Sequence, residues 1–87
     1  CESCHAPPNY TTPNIYKTGL ESPMDAYVGF NPPSLRGVYN RSPYLHTGEA
    51  ISLEQVLTEY HNPRKINGAT DFSKSELADI VAFLNTL

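Results

Sequence analysis

The sequence predicts a mostly α domain with long proline-rich loops, organised around something besides its own core. Three observations lead there. The second half carries two amphipathic segments with helix-start signals, the first half is crowded with proline, and the chain has only 87 residues. A chain of that length makes one domain, residues 1–87, and buries only about 60–65% of the surface its unfolded form exposes. Domains this small lean on a disulfide, a metal or a bound cofactor.

The helical segments come from capping and periodicity. In SLEQVLTEY, Ser52 and Gln55 have capping-box spacing, so a short helix is predicted from Leu53 to about Tyr60. Leu53, Val56, Leu57 and Tyr60 then share a face, and Asn62-Pro63 stops the run. In SKSELADIVAFLNTL, Ser73 and Glu76 form a second box, followed by Leu77, Ile80, Val81, Leu84 and Leu87 at helical spacing, with Phe83 beside the stripe. Residues 6 to 34 hold six of the eight prolines, which fix φ and remove donors, so extended helices are not expected there. Yet Tyr10, Ile15, Tyr16, Leu20, Met24, Tyr27, Val28 and Phe30 make this segment too apolar for a disordered linker. A proline-rich loop with that many apolar side chains suits a chain wrapped around a flat apolar ligand.

Charge narrows the partners. The net charge is −3, and the six basic residues are scattered with only Arg64 and Lys65 adjacent, so there is no basic stripe for nucleic acid. No apolar run approaches the roughly 18 residues of a membrane helix.

Both cysteines and one of three histidines fall in the first five residues, CESCH. A zinc site would need four ligands, and Cys1, Cys4, His46 and His61 could supply them, with a second pair far from the usual spacing. A redox dithiol would want a strand before Cys1 and a helix after Cys4. A lipid-bearing N-terminal cysteine would use Cys1 alone. Covalent attachment of a haem uses every residue of the motif: Cys1 and Cys4 as thioethers and His5 as the proximal iron ligand.

The stretch FNPPSLRGVYNRSPYLHTGEAISLEQVL resembles the C-terminal haem domain of the di-haem cytochrome c peroxidase superfamily, whose signature has the form TPSLRxxxxxxPYLHDGxxxTLEEVL. The match falls on Pro33, Ser34, Leu35, Arg36, Pro43, Tyr44, Leu45, His46, Gly48, Leu53, Glu54, Val56 and Leu57, and SELADIVAFL is similar to that family's last helix. The resemblance runs over essentially the whole chain. It implies a cytochrome c-like fold, one haem c, export to a periplasmic or extracellular oxidising compartment, and electron transfer with redox proteins or neighbouring haem domains. Three departures accompany it. The family's helix before the haem motif is expected to be lacking, because the chain starts at Cys1. Another chain or domain is then expected to cover Leu77, Val81 and Leu84 in a larger protein or assembly. The family's HDG reads His46-Thr47-Gly48, and a single C-x-x-C-H leaves no counterpart of the peroxidatic haem.

The resemblance also implies a distal ligand near the end of the helix after PYLHTG. Counting from His46 places it on Tyr60, whereas the His61-Asn62-Pro63 motif points to His61, and a bulge at the helix end would reconcile the two. His61 is the expected ligand, Met24 the alternative, and Tyr60 is expected to pack on the porphyrin. Tyr44 and His46 are expected beside the haem, with His46 in a supporting rather than a ligating role. Arg36 is expected to pair a haem propionate, a surface salt bridge being the other use of its guanidinium. The function expected is that of a six-coordinate bis-histidine carrier. The rival is one haem unit of a peroxidase-like enzyme with an open or labile distal site.

Overall fold

Regular structure in the computed structural model, which describes residues 1–26 and 28–87, is helical apart from two isolated antiparallel bridges. The chain gathers into two compact units, Cys1–Arg36 and Gly37–Leu87.

The first unit opens on a single helical turn, in which the amides of Cys4 and His5 both donate to the carbonyl of Cys1 at 3.0 and 2.8 Å. The chain later doubles back so that Tyr16 and Phe30 exchange both backbone bonds, at 3.0 and 2.9 Å. Acidic side chains organise the excursion between them: the Glu21 carboxylate accepts from the amides of Thr18 and Gly19, and that of Asp25 accepts from the amide of Ser22. A Cβ at Gly29 would lie 2.6 Å from the Tyr16 carbonyl oxygen, so the approach of the two segments requires glycine there.

No apolar side chain among the described residues of this unit is fully buried apart from the ring of Pro32. Polar side chains stitched to carbonyls hold it instead. Thr12 Oγ1 donates to Cys4 O at 3.2 Å, Asn31 Nδ2 donates to Thr12 O and Asn14 O at 2.7 and 2.9 Å, and Arg36 Nε donates to Pro8 O at 2.9 Å. The Thr11 and Ser34 hydroxyls donate to Pro32 O and Asn9 O. Tyr27 of the predicted apolar loop lies outside the described residues.

The second unit carries the helices. A 3-10 turn over Val38–Asn40 leads into a tight loop closed by the Tyr44–Ala50 bridge, with Tyr44 N donating to Ala50 O at 2.7 Å. Helix α1, Leu53–Gln55, begins at Ser52, whose side chain accepts from Gln55 N at 3.1 Å. The predicted box is half made, because the Gln55 side chain reaches one residue further back and accepts from Ile51 N at 2.9 Å. From Val56 to Tyr60 the helix widens into a π-helix. Asn62-Pro63, expected only to stop the run, also starts helix α2, Pro63–Asn67. Asn62 caps it, Pro63 fills the first position where its missing N–H costs nothing, and Gly68 closes it at φ 77°. Helix α3, Lys74–Leu84, has both bonds of its capping box: Ser73 Oγ accepts from Glu76 N at 3.2 Å and Glu76 Oε1 from Ser73 N at 2.9 Å.

Helix α1 packs against α3, and Ala50, Leu53, Leu57 and Leu84 form the buried apolar core. Leu77 and Val81 are half-buried and, with Ala78 and Ala82, line a groove along α3 next to Glu54. No helix among the described residues is long and apolar enough to cross a membrane.

Candidate functional site

The opening turn carries both cysteines and His5 of the CESCH motif. Because the amides of Cys4 and His5 both bond to Cys1 O, residues 1, 4 and 5 belong to one backbone turn. Both thiols are free, Cys1 exposed and Cys4 half-buried. His5 is half-buried, and its Nδ1 lies 3.0 Å from the carbonyl oxygen of Tyr10. A carbonyl can only accept, so Nδ1 carries a proton, and in the neutral ring Nε2 presents its lone pair. That is the tautomer of a metal-ligating histidine whose other nitrogen is held by a backbone oxygen. Tyr10, which supplies the oxygen, sits at φ 55°, a backbone conformation that non-glycine residues seldom adopt.

A second layer supports this turn. Thr12 holds the carbonyl of Cys4, and the Tyr16 hydroxyl donates to the carbonyl of Ser3 at 3.4 Å while lying 3.1 Å from Thr12 Oγ1. Arg36 is exposed and ties its Nε to Pro8 O, a main-chain contact in the loop that follows CESCH. Met24 stands in solvent, with a relative exposure of 93%.

In the second unit, Tyr44 is half-buried at the base of the loop that the Ala50 bridge closes, and His46 is exposed in that loop, between Leu45 at φ 71° and Gly48 at φ 70°. Tyr60 and His61 close the π-helix. The amide of His61 donates to Val56 O, five residues back, at 2.7 Å. An α-helix would have used Leu57, four residues back. The bulge that would reconcile the two counts from His46 is therefore present. The Nδ1 atom of His61 is buried, whereas the Tyr60 ring lies under the Lys65 ammonium, 6.0 Å from it.

Asn62 is the residue that sequence reasoning undervalued. It is 1% exposed, the most buried polar side chain among the described residues, and both ends of its amide are used. Nδ2 donates to Thr58 O at 3.0 Å and Oδ1 accepts from Lys65 N at 2.9 Å. The signal was legible as an Asn immediately before Pro, the pairing of an N-cap with a first-turn proline. Tyr10 and Thr12 were also passed over, because a residue that acts through its carbonyl or through one hydroxyl leaves no pattern in a single sequence.

Among curated proteins, the chain is 31% identical over 107 aligned positions to methylamine utilization protein MauG from Methylorubrum extorquens, an alignment covering all of this chain and 30% of that protein. It is 31% identical over 103 positions to cytochrome c551 peroxidase from Nitrosomonas europaea, again covering the whole chain and 30% of the relative. The chain thus spans less than a third of the length of either relative. No protein-family model matches it, and no solved structure does.

Proposed function

Because the chain is a haem domain of the di-haem cytochrome c peroxidase superfamily, we propose that it carries electrons through one covalently attached, six-coordinate haem c. The observation that carries this reading is His5, which follows two free cysteines in the sequence and commits its Nδ1 to Tyr10 O. Cys1 and Cys4 would hold the haem as thioethers, each thiol adding its sulfur and proton across one vinyl double bond. His5 Nε2 would bind the iron.

His61 is the distal ligand in this reading. The exposure of the candidates favours it over Met24, since a ring nitrogen of His61 is buried and the Met24 side chain is in water. When bound, the haem supplies an iron that cycles between ferric and ferrous states. The protein's part would be to supply His5 and His61 to that iron, so that small molecules are kept from it, and to cover the haem. Two imidazoles hold the potential below that of a histidine–methionine pair, since a thioether favours ferrous iron. Tyr44, His46 and Tyr60 are assigned to the surroundings of the haem and Arg36 to a propionate.

The same reading places the protein in the periplasm or outside the cell, exchanging electrons with redox proteins or adjoining haem domains, and with another chain or domain over α3. A second reading is favoured by one relative's being a peroxidase: this domain would then be one haem unit of such an enzyme, with a labile distal position. Optical and electron paramagnetic resonance spectra of the haem-loaded protein separate the two. A six-coordinate low-spin ferric state that resists cyanide supports the carrier. A five-coordinate high-spin state that binds cyanide readily supports the enzyme, and a sulfur-to-iron band in the far red would transfer the distal position to Met24. A blank pyridine haemochrome assay would sink both readings.

A further inference from the structure

Two neighbouring side chains at the end of the π-helix can each bind iron, the phenol of Tyr60 and the imidazole of His61. On a helix, consecutive residues point about 100° apart, so only one of them can face a given ligand. The register of the preceding turn decides which. With the His61 amide bonded to Val56 O, the turn contains one residue more than an α-turn. Everything after it is set back by one residue, and His61 takes the direction that Tyr60 would hold in an uninterrupted α-helix.

Such a turn needs something to hold it, because its bonds compete with the ordinary four-residue spacing. We propose that Asn62 is a positioning residue that clamps this wide turn and thereby makes His61, rather than Tyr60, the side chain presented to the haem. The inference rests on the assignment of His61 as distal ligand. Asn62 is buried and holds both sides of the junction at once. Behind it, Nδ2 fastens Thr58 O, inside the π segment; ahead of it, Oδ1 fastens Lys65 N, in the first turn of α2. Lys65 completes the clamp, its Nζ donating to Glu59 O while lying over the Tyr60 ring. Three carbonyls of the widened turn, those of Val56, Thr58 and Glu59, are thus taken by His61, Asn62 and Lys65.

The test separates this role from plain capping of α2. Asn62→Ser keeps an oxygen to accept from Lys65 N, and serine caps helices about as well as asparagine, but it has no donor long enough to reach Thr58 O. In the haem-loaded protein, Asn62→Ser is expected to lose most of the bis-imidazole low-spin resonance signal in favour of a high-spin or phenolate-ligated one. Deleting Thr58 in the same variant should restore the bis-imidazole signal, because the His61–Val56 bond then becomes an ordinary α-helical one and needs no clamp. A full bis-imidazole signal in Asn62→Ser overturns the inference while leaving His61 as the ligand. Should Asn62→Ser take up no haem, the double variant decides: a bis-imidazole signal supports the clamp, and any other outcome overturns it. Absence of that signal from the unaltered protein overturns the ligand assignment and the clamp with it.

Discussion

His5 Nδ1 and the carbonyl oxygen of Tyr10 lie 3.0 Å apart, five residues along the chain, and this one bond makes Nδ1 the donor nitrogen of the ring. Its net worth to folding is about 1 kcal/mol, but its directional value is larger, since it fixes both the tautomer and the ring plane. His5→Ala is expected to abolish the low-spin ferric spectrum of the haem-loaded protein while leaving the haem covalently attached. Added imidazole should restore part of the low-spin form. An unchanged spectrum in His5→Ala would remove His5 from the iron.

Gly29 is the point of closest approach in the first unit. An added methyl would meet the backbone of Tyr16, at 2.6 Å from its carbonyl oxygen, and backbone cannot swing aside as a side chain can. Gly29→Ala should destabilise the haem-loaded protein by about 1–3 kcal/mol, the usual cost of overpacking. Val28→Ala, at an exposed position next door, should stay within about 0.5 kcal/mol. Chemical denaturation midpoints of the two variants provide the comparison.

The start of α3 is set by Ser73 and Glu76. The Ser73 amide, and then its hydroxyl, hold the Glu76 carboxyl below the ordinary glutamate range. A pKa that is lower in the folded than in the unfolded chain adds stability above the unfolded value, and that stability is lost as pH falls through the folded one. Helicity of α3 should therefore weaken on acidification below the ordinary glutamate range, and Glu76→Gln should flatten that dependence in a circular dichroism titration. Ser73→Ala should cost about 1 kcal/mol at neutral pH. An acid profile identical in Glu76→Gln would show that other groups govern it.

Removing both thiols tests how far the fold depends on its cofactor. The buried apolar core is Ala50, Leu53, Leu57 and Leu84, all in the second unit. Binding energy spent on the folded state alone adds directly to its stability. The paired variant Cys1→Ser, Cys4→Ser, prepared without haem, should lose its near-ultraviolet dichroism and exchange the amides of residues 1–36 rapidly. A folded first unit without haem would show that its hydrogen bonds suffice.

The helices of the second unit were legible because their signals are local. Ser73 and Glu76 sit three residues apart and find each other, and the stripe from Leu77 to Leu84 follows the helical period. The helix after Ser52 was legible in position but not in form. Periodicity sees 3.6 residues per turn, and the change of register after Gln55 depends on what Asn62 and Lys65 do several residues later. Asn62-Pro63 reads as an ending because proline disfavours a helical conformation at the preceding residue; the same extended residue also serves as an N-cap, which yields α2. Within the candidate site, CESCH announced itself by residue type. Its supports did not, since Tyr10 contributes a carbonyl that any residue possesses and Thr12 a single hydroxyl.

The stitching of the first unit divides its residues into two kinds with different freedom to change. At one end of each bond stands a particular side chain, as with Thr12, Asn31, Ser34 and Arg36; at the other stands a main-chain oxygen, as with Cys4, Asn14, Asn9 and Pro8. The acceptor is blind to the side chain it belongs to, so a substitution there is felt only if it moves the backbone. The donor has no such latitude. Drift in this loop is therefore expected to be one-sided, concentrating on positions such as Asn9 that contribute a main-chain oxygen. The geometry around CESCH can then persist through sequences that look unrelated along most of the loop.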